Sequence, residues 1–468
     1  MNYDQKHHFS IGGLYQTKQV DSKEEYLEIV LEVEKGIAKR AVENENEIFW
    51  TDKIRNLFEP VNVSLGYGVS GVVYFYIQLY EVTKDEKYLS VIRKGLTYVE
   101  NHWKDILPED LENAAYPWPD GMQFGMYFGL AGIGSMLTVA YKAFGWEDIK
   151  DTLLKIVDFY KQQAIREGEG ITWTRSITTL TDGGILLFLT GLYEVLPSAD
   201  LKELIGSAGR WYIARGVSHE NGGLEYSDYG SVKLSEPDFA YDHVSQPNFE
   251  LGSAGAGYVL ARIYQTLGED RYLEAAKKVI VYLDSIKIPQ EKGFLIPYRI
   301  GDGMEPLFYL GNCHGAAGTG KVYYLLYHIT GDQKYLDDLH GLFDGFESLG
   351  APDRMSGGLW NNVSVCCGHA GILNTFLGLY LSEGNERWHE LAERSAGILA
   401  AGMDGLEDGK KGWVIAYRRI KPDEYSHTIY YNDGDAGIAS ALLQLYLVES
   451  GRLNPNRLAD DPFITERN

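Results

Sequence analysis

Three cysteines are all that this 468-residue chain contains, and they fall at two places: Cys313, and the adjacent pair Cys366 and Cys367. The thiolate is the nucleophilic and metal-ligating form of cysteine, and the positive end of a helix favours it. Each cysteine stands just before an apolar run that reads as a helix. The two phrases are Cys313-His314-Gly315-Ala316-Ala317-Gly318 and Cys366-Cys367-Gly368-His369-Ala370-Gly371. If the two runs lie side by side, Cys313, Cys366 and Cys367 form a soft donor set that suits Zn2+. Three protein ligands leave a fourth position open, the pattern of catalytic rather than structural zinc. His314 and His369 can each replace a cysteine as ligand. Buried inert thiols and a vicinal Cys366–Cys367 disulfide are the competing readings. An odd number of cysteines fits poorly with a disulfide framework.

The elements that must position these residues repeat. The same phrase occurs at Gly68-Val69-Ser70-Gly71, Gly129-Leu130-Ala131-Gly132, Thr181-Asp182-Gly183-Gly184, Gly252-Ser253-Ala254-Gly255 and Gly434-Asp435-Ala436-Gly437. Nine residues after the last glycine of each of the seven copies stands a tyrosine: Tyr80, Tyr141, Tyr193, Tyr264, Tyr327, Tyr380 and Tyr446. With 34 tyrosines in 468 residues, chance does not produce that agreement. The copies are 52 to 71 residues apart, so each is one supersecondary unit stacked on its neighbours. Each phrase opens an inner helix that is apolar nearly all round. A short turn then leads to an amphipathic outer helix, as in Tyr272-Leu273 onward after Leu267-Gly268-Glu269-Asp270.

The seventh repeat runs out after its inner helix. The N-terminal segment 1–60 holds an outer helix, residues 22–43, that has no inner partner. Ser22-Lys23-Glu24-Glu25 reads as its capping box. The two ends complete each other if the array closes. The expected fold is therefore all-α, a seven-fold α/α toroid with inner and outer rings of seven helices each. The repeats span 61–450, and 451–468 is a C-terminal tail. Recurrent glycine is expected where backbones approach closely or need positive φ.

Composition narrows the partners. A formal net charge of −23 argues against nucleic acid or an anionic membrane surface. No run approaches the ~18 apolar residues of a membrane span, and the N-terminus does not read as a signal peptide, so the expected compartment is the cytoplasm. The longest connection, 216–250, is the candidate rim loop.

Through the seven-fold phrase, from about residue 61 to 450, the chain resembles the lanthionine synthetase C-like family. That resemblance implies a seven-fold α/α toroid with zinc at one rim. It also implies thioether formation, in which a zinc-bound peptide thiolate adds to a dehydroamino acid and the enolate is protonated. The implied partners are a dehydrated precursor peptide and a dehydratase. The family's ligands come from a Cys-His-Gly or Cys-Tyr-Gly phrase in repeat five, matched by Cys313-His314-Gly315. They come also from a Cys-His-Gly phrase in repeat six, where this chain reads Cys366-Cys367-Gly368. The family's favoured acid is a histidine in repeat four, and Leu251 stands there. Its aspartate before the repeat-two phrase aligns with about Gly125, and its arginine before the repeat-five cysteine is absent. The residues that can substitute for the acid the resemblance implies are His314, His243, Asp242, Asp182, Asp433 and Asp435, and His314, beside the metal, is the candidate catalytic residue. Two alternatives stay open: a non-catalytic zinc-, thiol- or peptide-binding ring, and an α/α-toroid carbohydrate-active enzyme using Trp118, Trp173, Trp360 and Trp413 as walls.

Overall fold

The computed structural model describes residues 13–52, 63–107, 121–227, 244–301, 306–355, 362–403, 406, 410–416 and 425–463. Among them are fourteen α-helices in two concentric rings. The inner ring runs α2 (Val69–Thr83), α4 (Leu130–Phe144), α6 (Asp182–Val195), α8 (Ser253–Leu267), α10 (Ala316–Thr330), α12 (His369–Glu383) and α14 (Asp435–Glu449). The outer ring runs α1 (Lys23–Ala38), α3 (Glu86–His102), α5 (Glu147–Gln163), α7 (Ala199–Ile213), α9 (Asp270–Ser285), α11 (Gln333–Ser348) and α13 (Glu386–Gly402). Each inner helix packs on the next, α14 packs back on α2, and α1 is the outer partner of α14. The toroid is closed, as the unpaired ends of the sequence require.

Amphipathicity sorts the helices. α3 buries Tyr88, Ile92, Leu96 and Val99 on one stripe, whereas α2 buries nearly every residue from Val69 to Leu79. The seven tyrosines are half-buried. In five inner helices the tyrosine carbonyl accepts the N–H of the left-handed residue that ends the helix, at Lys84, Gly145, Gly268, Gly331 and Gly384. Among the described residues, five two-stranded antiparallel hairpins form in connections that follow outer helices. One of them takes residues expected to be helical. α1 stops at Ala38 because Asn44 accepts the N–H groups of Asn46 and Glu47 (2.9 and 2.8 Å) and turns the chain into a hairpin that buries Ile48 and Trp50. The capping box is half-formed. The Ser22 hydroxyl caps nothing, while the Glu25 carboxylate accepts from the Asp21 N–H at 3.3 Å.

The glycine phrase works by close approach alone. The glycines that cap α2, α4, α8, α10, α12 and α14 have extended φ, from −123° to −154°, so positive φ is not the reason for them. Instead the loop before each helix folds back onto its first turn. A Cβ on Gly318 would overlap the carbonyl oxygen of Asn312.

Beyond α14 the chain turns at Gly451 (φ +68°) and residues 452–463 thread back into the lumen. Arg452 caps the C-terminal carbonyls of α2, donating to Glu81 (2.6 Å) and Val82 (3.2 Å). Tyr74 of α2 donates to the Asn456 carbonyl (2.9 Å), Lys142 of α4 to that of Pro455 (3.2 Å) and Tyr258 of α8 to that of Ala459 (3.0 Å). Gly191 of α6 faces Ala459 and Gly378 of α12 faces the Phe463 ring, so the absence of a side chain makes room for the segment. Leu458, Asp460 and Phe463 are buried at its tip.

Candidate functional site

Seven backbone hydrogen bonds link the loops that precede the inner helices into a closed girdle. Gly66 N–H donates to the Tyr127 carbonyl (2.6 Å), Met126 to Thr179 (3.2 Å), Thr179 to Glu250 (3.0 Å) and Glu250 to Cys313 (2.8 Å). Cys313 donates to Cys366 (3.2 Å), Cys366 to Asn432 (3.1 Å) and Asn432 back to Gly66 (3.0 Å). The equivalent residue of each repeat, two before the helix cap, is thereby held at one level of the rim. Glu250, Cys313 and Cys366 occupy that level in consecutive repeats. The next row, one residue on, holds Leu251, His314, Cys367 and Asp433.

The girdle brings the three cysteines together. Cys313 Sγ is 3.2 Å from Cys367 Sγ, which is 3.3 Å from Cys366 Sγ, and all three are free thiols. Cys313 and Cys367 are buried, and Cys366 is half-buried. Burial acts to raise the Cys313 pKa, but donation from the Cys366 and Cys367 thiols wins and brings it to about 6. The other two are pushed up, Cys366 by its contact with Cys313 and Cys367 by burial. The neighbouring thiols add their stabilisation to that expected of the helix N-terminus.

A second group shares Cys313. A carboxylate oxygen of Glu250, Cys313 Sγ and a ring nitrogen of His314 lie within 4.8 Å of one another. His314 is 9% exposed, its Nε2 is 3.6 Å from Glu250 Oε2, and the Tyr298 ring packs edge-on at 4.9 Å. Burial, followed by the charges of Cys366 and Asp433, raises the Glu250 pKa well above the ordinary carboxylate range, against Lys321. Sequence reasoning missed Glu250. The signal was present: counted from the helix-capping residue, it is in register with Cys313 and Cys366.

His369 does not join the cluster. Its ring stands edge-on to Tyr15 at 4.7 Å, and neither nitrogen has a hydrogen-bond partner among the described residues. Burial presses its pKa down to about 4, with Asp353 opposing. An unfolded histidine titrates near 6.5, so between those values the unfolded chain binds the extra proton. Stability is expected to be full above pH ~6.5 and to fall by up to about 3 kcal/mol as pH drops towards 4. Asp433, raised to about 6 by burial against hydrogen bonds from Tyr67 and Ser364, acts with the opposite sign. Comparison with His369→Leu isolates the histidine. Denaturation midpoints of that variant should fall less steeply with acid than those of the wild type, and equal slopes would refute the assignment.

The remaining candidates divide. Asp182 accepts from the Thr174 N–H (2.9 Å), the Trp173 N–H (3.1 Å) and the Thr172 and Thr174 hydroxyls. Asp435 accepts from the Trp413 N–H (3.1 Å) and contacts His427 (2.7 Å). Both aspartates clamp the preceding connection to its helix. Trp173 and Trp413 are buried, their indole N–H groups bonded to the carbonyls of Tyr160 and Leu399, and so form no sugar-binding wall. Asp242, His243, Trp118 and Trp360 lie outside the described residues, as do residues 228–243 of the candidate rim loop.

Below the cysteines a cavity of about 60 Å³ opens on the ring axis. Cys313, Cys366, Glu250, Tyr127, Lys321 and Asn374 line it, and Asp460 of the returning C-terminal segment closes its floor.

A closed α/α toroid with a thiol cluster at the rim where its inner helices begin defines the class of protein. The family model for lanthionine synthetase C-like protein matches residues 59–453, and the chain belongs to that family. Nisin cyclase is similar in structure, with a TM-score of 0.62 at 14% identity over 90% of this chain and 93% of that one. Cellobiose 2-epimerase from Bacillus thermoamylovorans superposes at a TM-score of 0.43 and 11% identity, covering 69% of this chain and 86% of that one. An α-mannanase from Bacteroides thetaiotaomicron superposes at 0.45 and 11%, covering 90% and 95%. At these identities the likeness to nisin cyclase establishes the toroid.

Proposed function

We propose that this protein is a zinc-dependent cyclase. It forms thioether, lanthionine-type bonds by adding a peptide cysteine thiolate to a dehydroamino acid. The observation that carries the reading is the convergence of every cysteine in the chain, from two adjacent repeats, at one point of the rim. The donor set fits the ion. Thiolates at ~2.3 Å in a tetrahedron stand roughly 3.8 Å apart, so the sulfurs need to spread by only about 0.5 Å. Cys313, Cys366 and Cys367 would hold zinc, which supplies a fourth position where a substrate thiol stays deprotonated at neutral pH. Three cysteine ligands leave the site anionic, which keeps an added thiolate nucleophilic.

The chain's own residues do the rest. The girdle fixes the ligands and His314 on one rigid ring. His314 delivers the proton that the enolate needs at its α-carbon, and Glu250, 3.6 Å from its Nε2, keeps the ring oriented. The substrate is a dehydrated precursor peptide, made by a dehydratase partner in the cytoplasm. No helix among the described residues is long and apolar enough to cross a membrane.

A non-catalytic thiol- or peptide-binding ring is the second reading, favoured by Leu251 at the position of the family's usual histidine. Incubation of the zinc-loaded protein with a dehydrated, cysteine-containing peptide separates the two. Cyclisation consumes one free thiol per ring with no change in peptide mass. Thiol retained by every peptide tried would favour the binding ring.

A further inference from the structure

Among the described residues, Lys321 is the one cationic side chain lining the cavity below the cysteines. It sits on α10, eight residues after Cys313, and is 5% exposed. Its Nζ lies 4.6 Å over the Phe249 ring and 3.4 Å from Asp460 Oδ2. Asp460 in turn accepts from the Tyr127 hydroxyl. A buried ion pair is a poor stabiliser, since apolar side chains of the same volume do as well or better. This pair is also built at long range, with the C-terminal segment threading the lumen to put its carboxylate under the lysine. Polar groups across the cavity include Glu250, Asn432, Asp461 and the buried amide oxygens of Asn312 and Asn374, which have no hydrogen-bond partner among the described residues. The cavity has room for about four waters on a ~15 Å³ measure, or for one carboxylate or amide group.

We propose that Lys321 forms an oxyanion subsite. It takes the negatively charged oxygen of a ligand whose sulfur is held at the cysteine cluster, and Asp460 is its positioning residue. The inference deepens the cyclase reading and rests on it for the reaction, though not for the binding. As the S–Cβ bond forms, the Cα=Cβ pair of the dehydroamino acid shifts onto the carbonyl, leaving charge on oxygen. The Lys321 ammonium donates a hydrogen bond to that oxygen until the α-carbon takes its proton and the carbonyl re-forms. A fixed cation in a water-poor cavity strengthens as that charge develops, and removing one such donor costs on the order of 10²–10³ in kcat.

The test has a binding arm that needs no turnover. Calorimetry on the zinc-loaded full chain compares 3-mercaptopropionate with 2-mercaptoethanol. The wild type should prefer the carboxylate thiol about tenfold or more, beyond any difference in free-thiolate fraction. Lys321→Met should abolish the preference with zinc content unchanged. Asp460→Asn should increase it, because the ammonium loses its competing carboxylate while Tyr127 and Lys321 keep an oxygen to bond. A preference that survives Lys321→Met overturns the proposal. If that variant does not fold, a preference that fails to rise in Asp460→Asn overturns it. A wild type with the preference but no cyclisation would sink the cyclase reading and leave the subsite standing. Cyclisation without the preference would do the reverse. In an active preparation, Lys321→Met should lower kcat about 10²-fold with KM little changed.

Discussion

Replacing Cys313 by serine is expected to empty the rim site of zinc. Cys313 is shared by both clusters at the rim, the three sulfurs and the group with Glu250 and His314. Its pKa is brought down to about 6 by the two thiols that face it. A serine hydroxyl is not deprotonated at neutral pH and is a harder ligand, so it replaces neither the charge nor the softness. Altering a residue behind a metal ligand already costs ~10–100-fold in affinity, and losing a ligand should exceed that range. The girdle bonds at this position are made by the backbone, which serine retains, so the ring should fold with a near-normal melting temperature. Metal content after dialysis against a weak chelator checks the result, with His369→Leu as the control that keeps its zinc. A Cys313→Ser protein that retains wild-type zinc would remove the foundation of the proposed cyclase.

Legibility in the sequence followed repetition. One glycine phrase is uninformative, but seven in register with seven tyrosines define fourteen helices and their order, because each repeat must bury the same inner face. The same alignment put Asp182 and Asp435 at equivalent places, and both clamp a tryptophan-bearing connection. Glu250 shows the limit of reading by residue type. Attention to cysteine and histidine passed over a carboxylate in the same register, and only the girdle of backbone bonds showed that the register is also a shared height on the rim. The C-terminal segment was illegible for a different reason. Asn454-Pro455-Asn456-Arg457-Leu458-Ala459-Asp460-Asp461 has no periodicity, and its position depends on partners on α2, α4, α6, α8, α10 and α12. Buried Gln78, Lys321 and Gln444 on inner helices look misplaced until that segment is in the lumen to meet them or their neighbours, and nothing local announces it. His369 was ambiguous because sequence shows that a residue adjoins the cluster but not which way its ring turns.

Glycine in the first turn of an inner helix yields a prediction whose sign decides the matter. Gly318 is the third residue of α10, a first-turn helical position where alanine is ordinarily favoured by up to about 1 kcal/mol. If the glycine phrase were only composition, Gly318→Ala would stabilise. The close packing of the Asn312 carbonyl against this turn reverses the sign. A Cβ would overlap that oxygen and crowd Phe249, and backbone cannot swing aside as a flexible side chain can. The loop that must yield is Asn312-Cys313, tied by both of its N–H groups to the Cys366 carbonyl. Overpacking with forced backbone movement costs about 1–3 kcal/mol and occasionally more, so the loss should exceed that of a glycine held only by its dihedral angle. Gly268, at the end of α8, supplies that comparison. Its φ is +73° and nothing lies within 4 Å of where a Cβ would stand, so Gly268→Ala should cost about 1 kcal/mol of backbone strain and nothing in metal binding. Denaturant unfolding of both variants measures the first difference, and zinc content measures the second. Gly318→Ala should be the less stable of the two and should bind zinc more weakly than the wild type. A stabilised Gly318→Ala protein with full zinc would mean that the phrase holds neither the first turn of the helix nor the loop that carries Cys313.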